Sequence, residues 1–284
     1  MPGLSLPHVF MVVAAMFLIV TADSAGKTMT AQGMNPLFVA WGRFALAAIL
    51  LAPFTGIKRV DLSAFWDWRL ILRTLFIVMG ISSILTALRS EPIADVFGAF
   101  FISPVVSYFG SALVLKEKVT WSRSALLLIG FAGVLMVVKP GFGMSAGMVF
   151  ALLAGAFHGA YLVTTRWMAG AYRPRLLLLS QLVIGGVILL PFALLQWPAT
   201  VSAGFHWAFP LSALCSAWGN YLLVVASRVL PAGVVAPLIY SQIVAAMLIG
   251  LTVFNEWPDG VALAGLVVIL ASGVAGLRLV GRGQ

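Results

Sequence analysis

Charge is what this sequence has least of. Of 284 residues, only 9% are Asp, Glu, Lys or Arg, against about 25% in an ordinary soluble domain. With 62% hydrophobic residues, the chain carries more apolar side chain than a water-soluble fold of its length can cover, so lipid must be its solvent. Cysteine is nearly absent too. Cys215 stands alone, which excludes an internal disulfide and a thiolate metal cluster; in its apolar run it reads as a small buried hydrophobe. The three histidines, His8, His158 and His206, are far apart. Neither HExxH, CxxC nor a nucleophile beside a base is visible, so no enzyme, catalytic residue, metal site or cofactor is expected. There is no GxxxxGK[ST] loop and no soluble segment to bind ATP.

What is present is a series of long apolar runs. Crossing about 30 Å of hydrocarbon takes about 20 apolar residues as a helix, and ten runs qualify, near 8–30, 34–54, 68–89, 92–115, 122–139, 146–168, 176–195, 207–228, 231–254 and 259–280. They do not alternate apolar and polar residues, so a β-barrel does not fit. Breakers mark the joints: Asn35-Pro36, Glu91-Pro92, Lys139-Pro140-Gly141, Leu230-Pro231 and Trp257-Pro258. The stretch "MPGLSLPHVF" has no Lys or Arg before its apolar run, and that run continues into a full span, so no cleavable signal peptide is expected.

The runs repeat. Arg89 recurs as Arg228, Pro92 as Pro231 and Glu117 as Glu256, all three at one and the same offset along the chain. Two copies of a five-helix unit follow, residues 1–141 and 142–284. Because five is odd, the second copy enters the membrane inverted, a design common in secondary transporters. The expected fold is therefore all-α and membrane-integral, with ten transmembrane helices in two inverted five-helix repeats.

The net charge of +9 does not imply nucleic acid, since the basic residues are scattered through short loops. If both termini share one face, thirteen of the seventeen basic residues, Arg73 among them, lie on that face. Only Lys27, Arg89 and Lys139 fall on the other, with Arg43 inside span two. The positive-inside rule then places both termini in the cytoplasm. Glu117 and Glu256 each sit in a turn just before a helix, where a carboxylate favours the positive helix end; capping is the expected role.

Polar and aromatic residues near the span midpoints are the candidate solute contacts. They are Met79, Ser82 and Ser83 in span three; Phe100, Phe101 and Ser103 in span four; His158 and Tyr161 in span six; Trp218, Asn220 and Tyr221 in span eight; and Tyr240 and Gln242 in span nine. Polar groups at this depth are costly toward lipid and should face the bundle interior or a wet cavity. Rings offer apolar contact and faces that attract an ammonium, while amides and hydroxyls fix a carboxylate or amine. No ring of fixed charge marks an ion-selective pore. Pro104 and Pro237 are expected to interrupt spans four and nine, where breaks in corresponding spans point to a transport path. Asp23 and Lys27, spaced i, i+4, are expected to pair on one face. With Arg43, Arg89, Glu91 and Asp95 they form a gate or a permanent ion network, Arg43 being its organising cation.

"VAWGRFALAAILLAP" and "EPIADVFGAFFISPVVSYFGSALVLKEKVTWSRSALLLIGFAGVLMVVKPG" resemble the signatures of the drug/metabolite transporter superfamily, EamA-type, and the second half carries a fainter copy. The resemblance implies a central cavity lined by helices one, three, four, six, eight and nine, with helices five and ten as scaffold or homodimer contacts. It further implies export of a small-molecule substrate, with aromatic and neutral amino-acid exporters the most similar members, across a bacterial inner membrane by alternating access. Export of another metabolite or a cationic drug, or a passive pore, stands as the alternative. The lipid bilayer is an expected partner and nucleic acid is not. The family often has Gly before the hairpin glutamate, where this chain has Lys116 and Asn255.

Overall fold

The computed structural model describes residues 6–56, 59–139, 144–168, 170–198, 205–230 and 232–282. The expected joints at Pro140-Gly141 and Pro231, the loop cation Lys58 and the side chain of Pro237 lie outside the described residues. Among the described residues there is no strand. The first repeat comprises α1 (Leu6–Ala31), α2 (Pro36–Leu51), α3 (Trp68–Leu88), α4 (Ile93–Ala99), α5 (Ile102–Leu115) and α6 (Trp121–Val138). The second comprises α7 (Ala146–Trp167), α8 (Pro174–Leu195), α9 (Phe205–Val229), α10 (Ala232–Ile239), α11 (Ser241–Ile249) and α12 (Gly260–Arg282). A π-turn, Gly250–Phe254, extends α11. Among the described residues, eight helical stretches are long and apolar enough to cross a membrane; α10–α11 and α12 complete the second repeat. The chain is a multi-pass membrane protein built from two repeats.

Polar side chains start several of these helices. The Asn35 side chain accepts a hydrogen bond from Leu37 N, with Pro36 as the first helical residue. Asp67 accepts from Arg69 N, and Ser145 from Met148 N. Each satisfies a backbone donor that the helix itself leaves free.

Spans four and nine are not continuous. α4 stops at Ala99 and α5 begins at Ile102; α10 stops at Ile239 and α11 begins at Ser241. The residues at the breaks, Phe101 and Tyr240, are separated by the repeat offset and touch, with ring centroids 3.8 Å apart. Pro104 is not the break: it lies in the first turn of α5, where its missing N–H costs no helical bond. α7 covers the first break with a glycine face. A Cβ on Gly155 would lie 2.3 Å from Phe100 O and one on Gly159 2.7 Å from Ser103 O, so only glycine lets the helix approach.

The repeats interdigitate. α1 packs along α9, α3 along α7, α2 along α8 and α6 along α12, so each of these pairings joins one repeat to the other. At the α6–α12 seam, a Cβ on Gly133 would lie 2.7 Å from Gly265 O, the close approach expected of small residues between membrane helices. The turns after α5 and after the π-turn close in the same way, with Lys116 at φ 56 and Asn255 at φ 52. A left-handed residue closes a helix most cheaply as glycine, which explains the glycine favoured by the resembling family there.

Candidate functional site

The structure has two faces. One, here the N-terminal face, carries the turns around 52–67, 116–120 and 168–173; the opposite face carries those around 32–35, 89–92 and 255–259. On the N-terminal face, Leu51, Phe54, Thr55, Arg175, Leu178, Trp218 and Tyr221 line an open cavity of about 570 Å³, within the range of small-molecule sites. Phe54 and Thr55 follow the end of α2, Arg175 and Leu178 open α8, and Trp218 and Tyr221 lie one turn apart on α9, so this cavity is walled by the second, seventh and eighth spans, of which only the eighth is among the lining helices the resemblance implies. These two rings meet edge to face at 5.9 Å. Arg175 is the one charged residue in this lining. The wall is thus aromatic with one cation, suited to a flat ring bearing a polar or anionic substituent.

A second cavity of about 540 Å³ lies in the turns of the same face, between Asp61, Trp66, Asp67, Tyr172 and Arg173. It is tied by ion pairs and hydrogen bonds of its own. Arg173 Nη2 reaches Asp61 Oδ2 at 2.7 Å, and Tyr172 O–H donates to Asp67, holding that carboxyl below its usual range. It lies outside the spans and is less suited to a translocation path.

Of the midplane residues expected to contact solute, Trp218 and Tyr221 line the first cavity, and Trp218 is 49% exposed. Met79 is also open, at 42% exposure. Phe100, Phe101, Ser103, His158, Tyr161 and Tyr240 instead form a packed layer at the helix breaks. Ser103 Oγ and His158 Nδ1 share a hydrogen bond of 2.9 Å, and Phe100 lies against the His158 ring at 5.0 Å. Ser83 is buried and Ser82 half-buried. Ser82 Oγ, Asn220 Oδ1 and Gln242 Nε2 are buried atoms without a protein hydrogen-bond partner, so each retains capacity for water or solute.

Tyr161 belongs to a cluster that sequence reading missed. Arg73, counted there as a loop cation, is wholly buried. Its Nε donates to Thr165 Oγ1 at 2.8 Å, Nη1 to Leu177 O at 3.1 Å and Nη2 to Tyr161 Oη at 2.8 Å. Tyr161 O–H passes the chain on to Gln181 Oε1 at 3.0 Å. Neutral oxygens thus solvate this guanidinium, and it has no ion pair among the described residues. The repeat offset carries Arg73 onto Ser212 and Tyr161 onto Ala22, and there a hydroxyl takes the place of the guanidinium, Ser212 Oγ donating to Ala22 O.

The expected Asp23–Lys27 pair does not form. Asp23 pairs with Arg43 at 2.5 Å, the two side chains 4% and 3% exposed, and Arg43 Nη2 donates to Ala22 O at 2.7 Å. Gly26 makes room for the guanidinium: a Cβ there would lie 2.4 Å from Arg43 Nη2. The planar fork reaches the Asp23 carboxylate and the Ala22 carbonyl together, two acceptors on adjacent residues of α1. Lys27 turns instead to Glu256 at 2.6 Å and donates to Glu91 O at 2.8 Å. Glu91 accepts from Ser145 Oγ at 2.6 Å; Asp95 is half-buried with Oδ1 unpartnered; Arg89 is exposed. Glu256 does cap a helix, but α4 rather than the helix that follows it, accepting from Ile93 N at 2.9 Å. Both partners lie far away in sequence, yet Lys27 and Arg166 are also related by the repeat offset, a signal the repeat search had available.

The model of the EamA-like transporter family matches residues 6–139 and again 145–277. A riboflavin transporter of Rhizobium johnstonii is 26% identical over 84% of this chain and 80% of its own. An S-adenosylmethionine uptake transporter of Rickettsia prowazekii is 24% identical over 82% of this chain and 79% of its own. A solved crystal structure superposes with a TM-score of 0.72 at 15% identity, covering 98% of this chain and 99% of that one; it shares the fold.

Proposed function

The chain belongs to the EamA-like transporter family, and from that premise we propose that it carries a small aromatic or heteroaromatic metabolite across the bacterial inner membrane by alternating access. Both termini then face the cytoplasm, on the strength of the thirteen basic residues assigned to that side. The observation that carries the reading is the cavity on the N-terminal face, with Trp218, Tyr221 and Phe54 as apolar walls and Arg175 as its charge. Rings of a solute lie against rings of the wall, and the guanidinium holds an electronegative substituent. Asn220, Gln242 and Ser82, whose unpartnered polar atoms are buried, receive the solute as it moves inward.

Two groups of solute direct the experiment, with leucine as the non-aromatic comparison. Aromatic or neutral amino acids leaving the cell are one, the direction the sequence resemblance implies. Flavin- or nucleoside-like solutes entering it are the other, supported by the names of the Rhizobium and Rickettsia relatives. The test is counterflow into proteoliposomes holding the purified protein, with riboflavin, S-adenosylmethionine, tryptophan and leucine in parallel. Saturable counterflow of one of them identifies the class, and Trp218→Ala should raise its half-saturation concentration about tenfold, equivalent to about 1.4 kcal/mol of ring contact. Unsaturable flux, or unitary currents, would refute a carrier and favour a pore.

A further inference from the structure

The charges on the two faces obey the same inversion as the helices. On the opposite face, Lys27 at the end of α1 pairs with Glu256 in the turn after the π-turn, at 2.6 Å. On the N-terminal face, Arg166 at the end of α7 pairs with Glu117 in the turn after α5, at 3.3 Å. Both members shift by the repeat offset, Lys27 to Arg166 and Glu117 to Glu256. Each pair joins one repeat to the other, and each grips the backbone where a third element begins or ends. Lys27 Nζ donates to Glu91 O at 2.8 Å and Glu256 accepts from Ile93 N at 2.9 Å, both at the junction of α3 and α4. Arg166 Nη1 donates to Ser227 O at 2.8 Å, in the last turn of α9 before α10.

We propose that these two ion pairs are the gates of the carrier: Lys27–Glu256 shuts the opposite face by holding the α3–α4 junction, and Arg166–Glu117 shuts the N-terminal face by holding the α9–α10 junction. What marks them as more than a duplicated brace is their placement: each ties one repeat to the other across a face and holds the backbone at a helix junction. Such a placement suits a gate, because inverted repeats convert one closed face into the other by exchanging conformations. The two are unequal here. The Lys27–Glu256 clasp is shorter and its cation is the more buried, Lys27 being 9% exposed against 25% for Arg166, while the two carboxylates are alike at 26% and 28%. The structure thus has its opposite face shut more firmly, in keeping with the cavity on the N-terminal face. Arg166 and Glu117 release first, solute enters there, and closing that clasp frees the other.

The inference rests on the chain being a carrier but not on which solute it carries, and its test needs none. Ala87, near the end of α3, and Ala226, near the end of α9, are repeat-related positions and both wholly buried. Ala87→Cys and Ala226→Cys, each in a Cys215→Ser background, serve as reporters of the two faces, read by maleimide labelling of the purified protein in proteoliposomes. Lys27→Gln removes the ion pair to Glu256 and the charged donor to Glu91 O. It should raise labelling at Ala87→Cys at least about tenfold without raising Ala226→Cys. Glu256→Gln should reproduce that pattern from the other side of the clasp, and Arg166→Gln should reverse it. Elution of each variant as a single folded species separates gating from misfolding. Equal rises at both reporters, no rise at either, or disagreement between Lys27→Gln and Glu256→Gln would overturn the proposal even where counterflow succeeds.

Discussion

Replacing Arg43 with Met should be among the most damaging single changes outside the helix seams. Arg43 and Asp23 are 3% and 4% exposed and 2.5 Å apart, and the guanidinium also holds Ala22 O. Arg43→Met leaves a carboxylate stranded between α1 and α2, and breaking a buried pair from one side costs about 3–5 kcal/mol. Removing both charges is a different matter. The desolvation that the pair endures is relieved at the same time, so Asp23→Leu/Arg43→Met should fall within about 2 kcal/mol of the parent. The coupling between the two sites is then about 3 kcal/mol or more, well above the median near 0–1 kcal/mol for exposed pairs. Reversible unfolding of the four proteins by SDS titration in mixed micelles measures it. A coupling under about 1 kcal/mol would refute the argument, because it would mean that water already solvates the guanidinium.

Smaller effects follow from other contacts. Gly133→Val forces a branched side chain against Gly265 O, where even a Cβ would lie at 2.7 Å; overpacking of this kind costs about 1–3 kcal/mol, measurable as a lower unfolding midpoint in the same titration. Where Lys139 meets Asp259, the ammonium and then the Ala262 N–H hold the Asp259 carboxyl below its usual range. A depressed carboxylate adds stability above its unfolded pKa and loses it as pH falls through the folded one. Parent and Asp259→Asn should therefore differ modestly near neutrality and converge in acid, by thermal melts across pH; a gap that widens in acid would contradict this. The modest size follows from exposure, 37% and 53% for the two side chains.

Much of the architecture was legible because lipid leaves the backbone few options. A span must be helical, its length is set by the bilayer, and a break in hydropathy marks its end. The inverted duplication was equally readable, since Arg89, Pro92 and Glu117 recur at one offset. Pairing was not. Asp23 and Lys27 look like partners on a helix face, yet Arg43 arrives from α2 with a fork that fits the Asp23 carboxylate better, and Lys27 is released to Glu256. Arg73 was counted among loop charges because sequence position near a span end does not reveal burial. Tyr161, Thr165 and Leu177 O solvate it from other helices, and no local pattern shows that. Pro104 marked the right neighbourhood but the wrong residue, because proline is comfortable in a first turn and the chain breaks just ahead of it. The midplane aromatics divided for a similar reason: whether Phe100 or Trp218 meets a neighbour or a cavity depends on the helix opposite.

In the proposed gating, the contact between Phe101 and Tyr240 is the fulcrum. Half-helices α4 and α10 contain seven and eight residues, about 10–12 Å each. A rotation of about 15° about that point displaces their far ends by about 3 Å, roughly the length of a hydrogen bond. A lever this short would turn a small tilt at the centre into separation at the rim, and in the proposed gating a distance probe on the two rings would stay nearly still while the rims part.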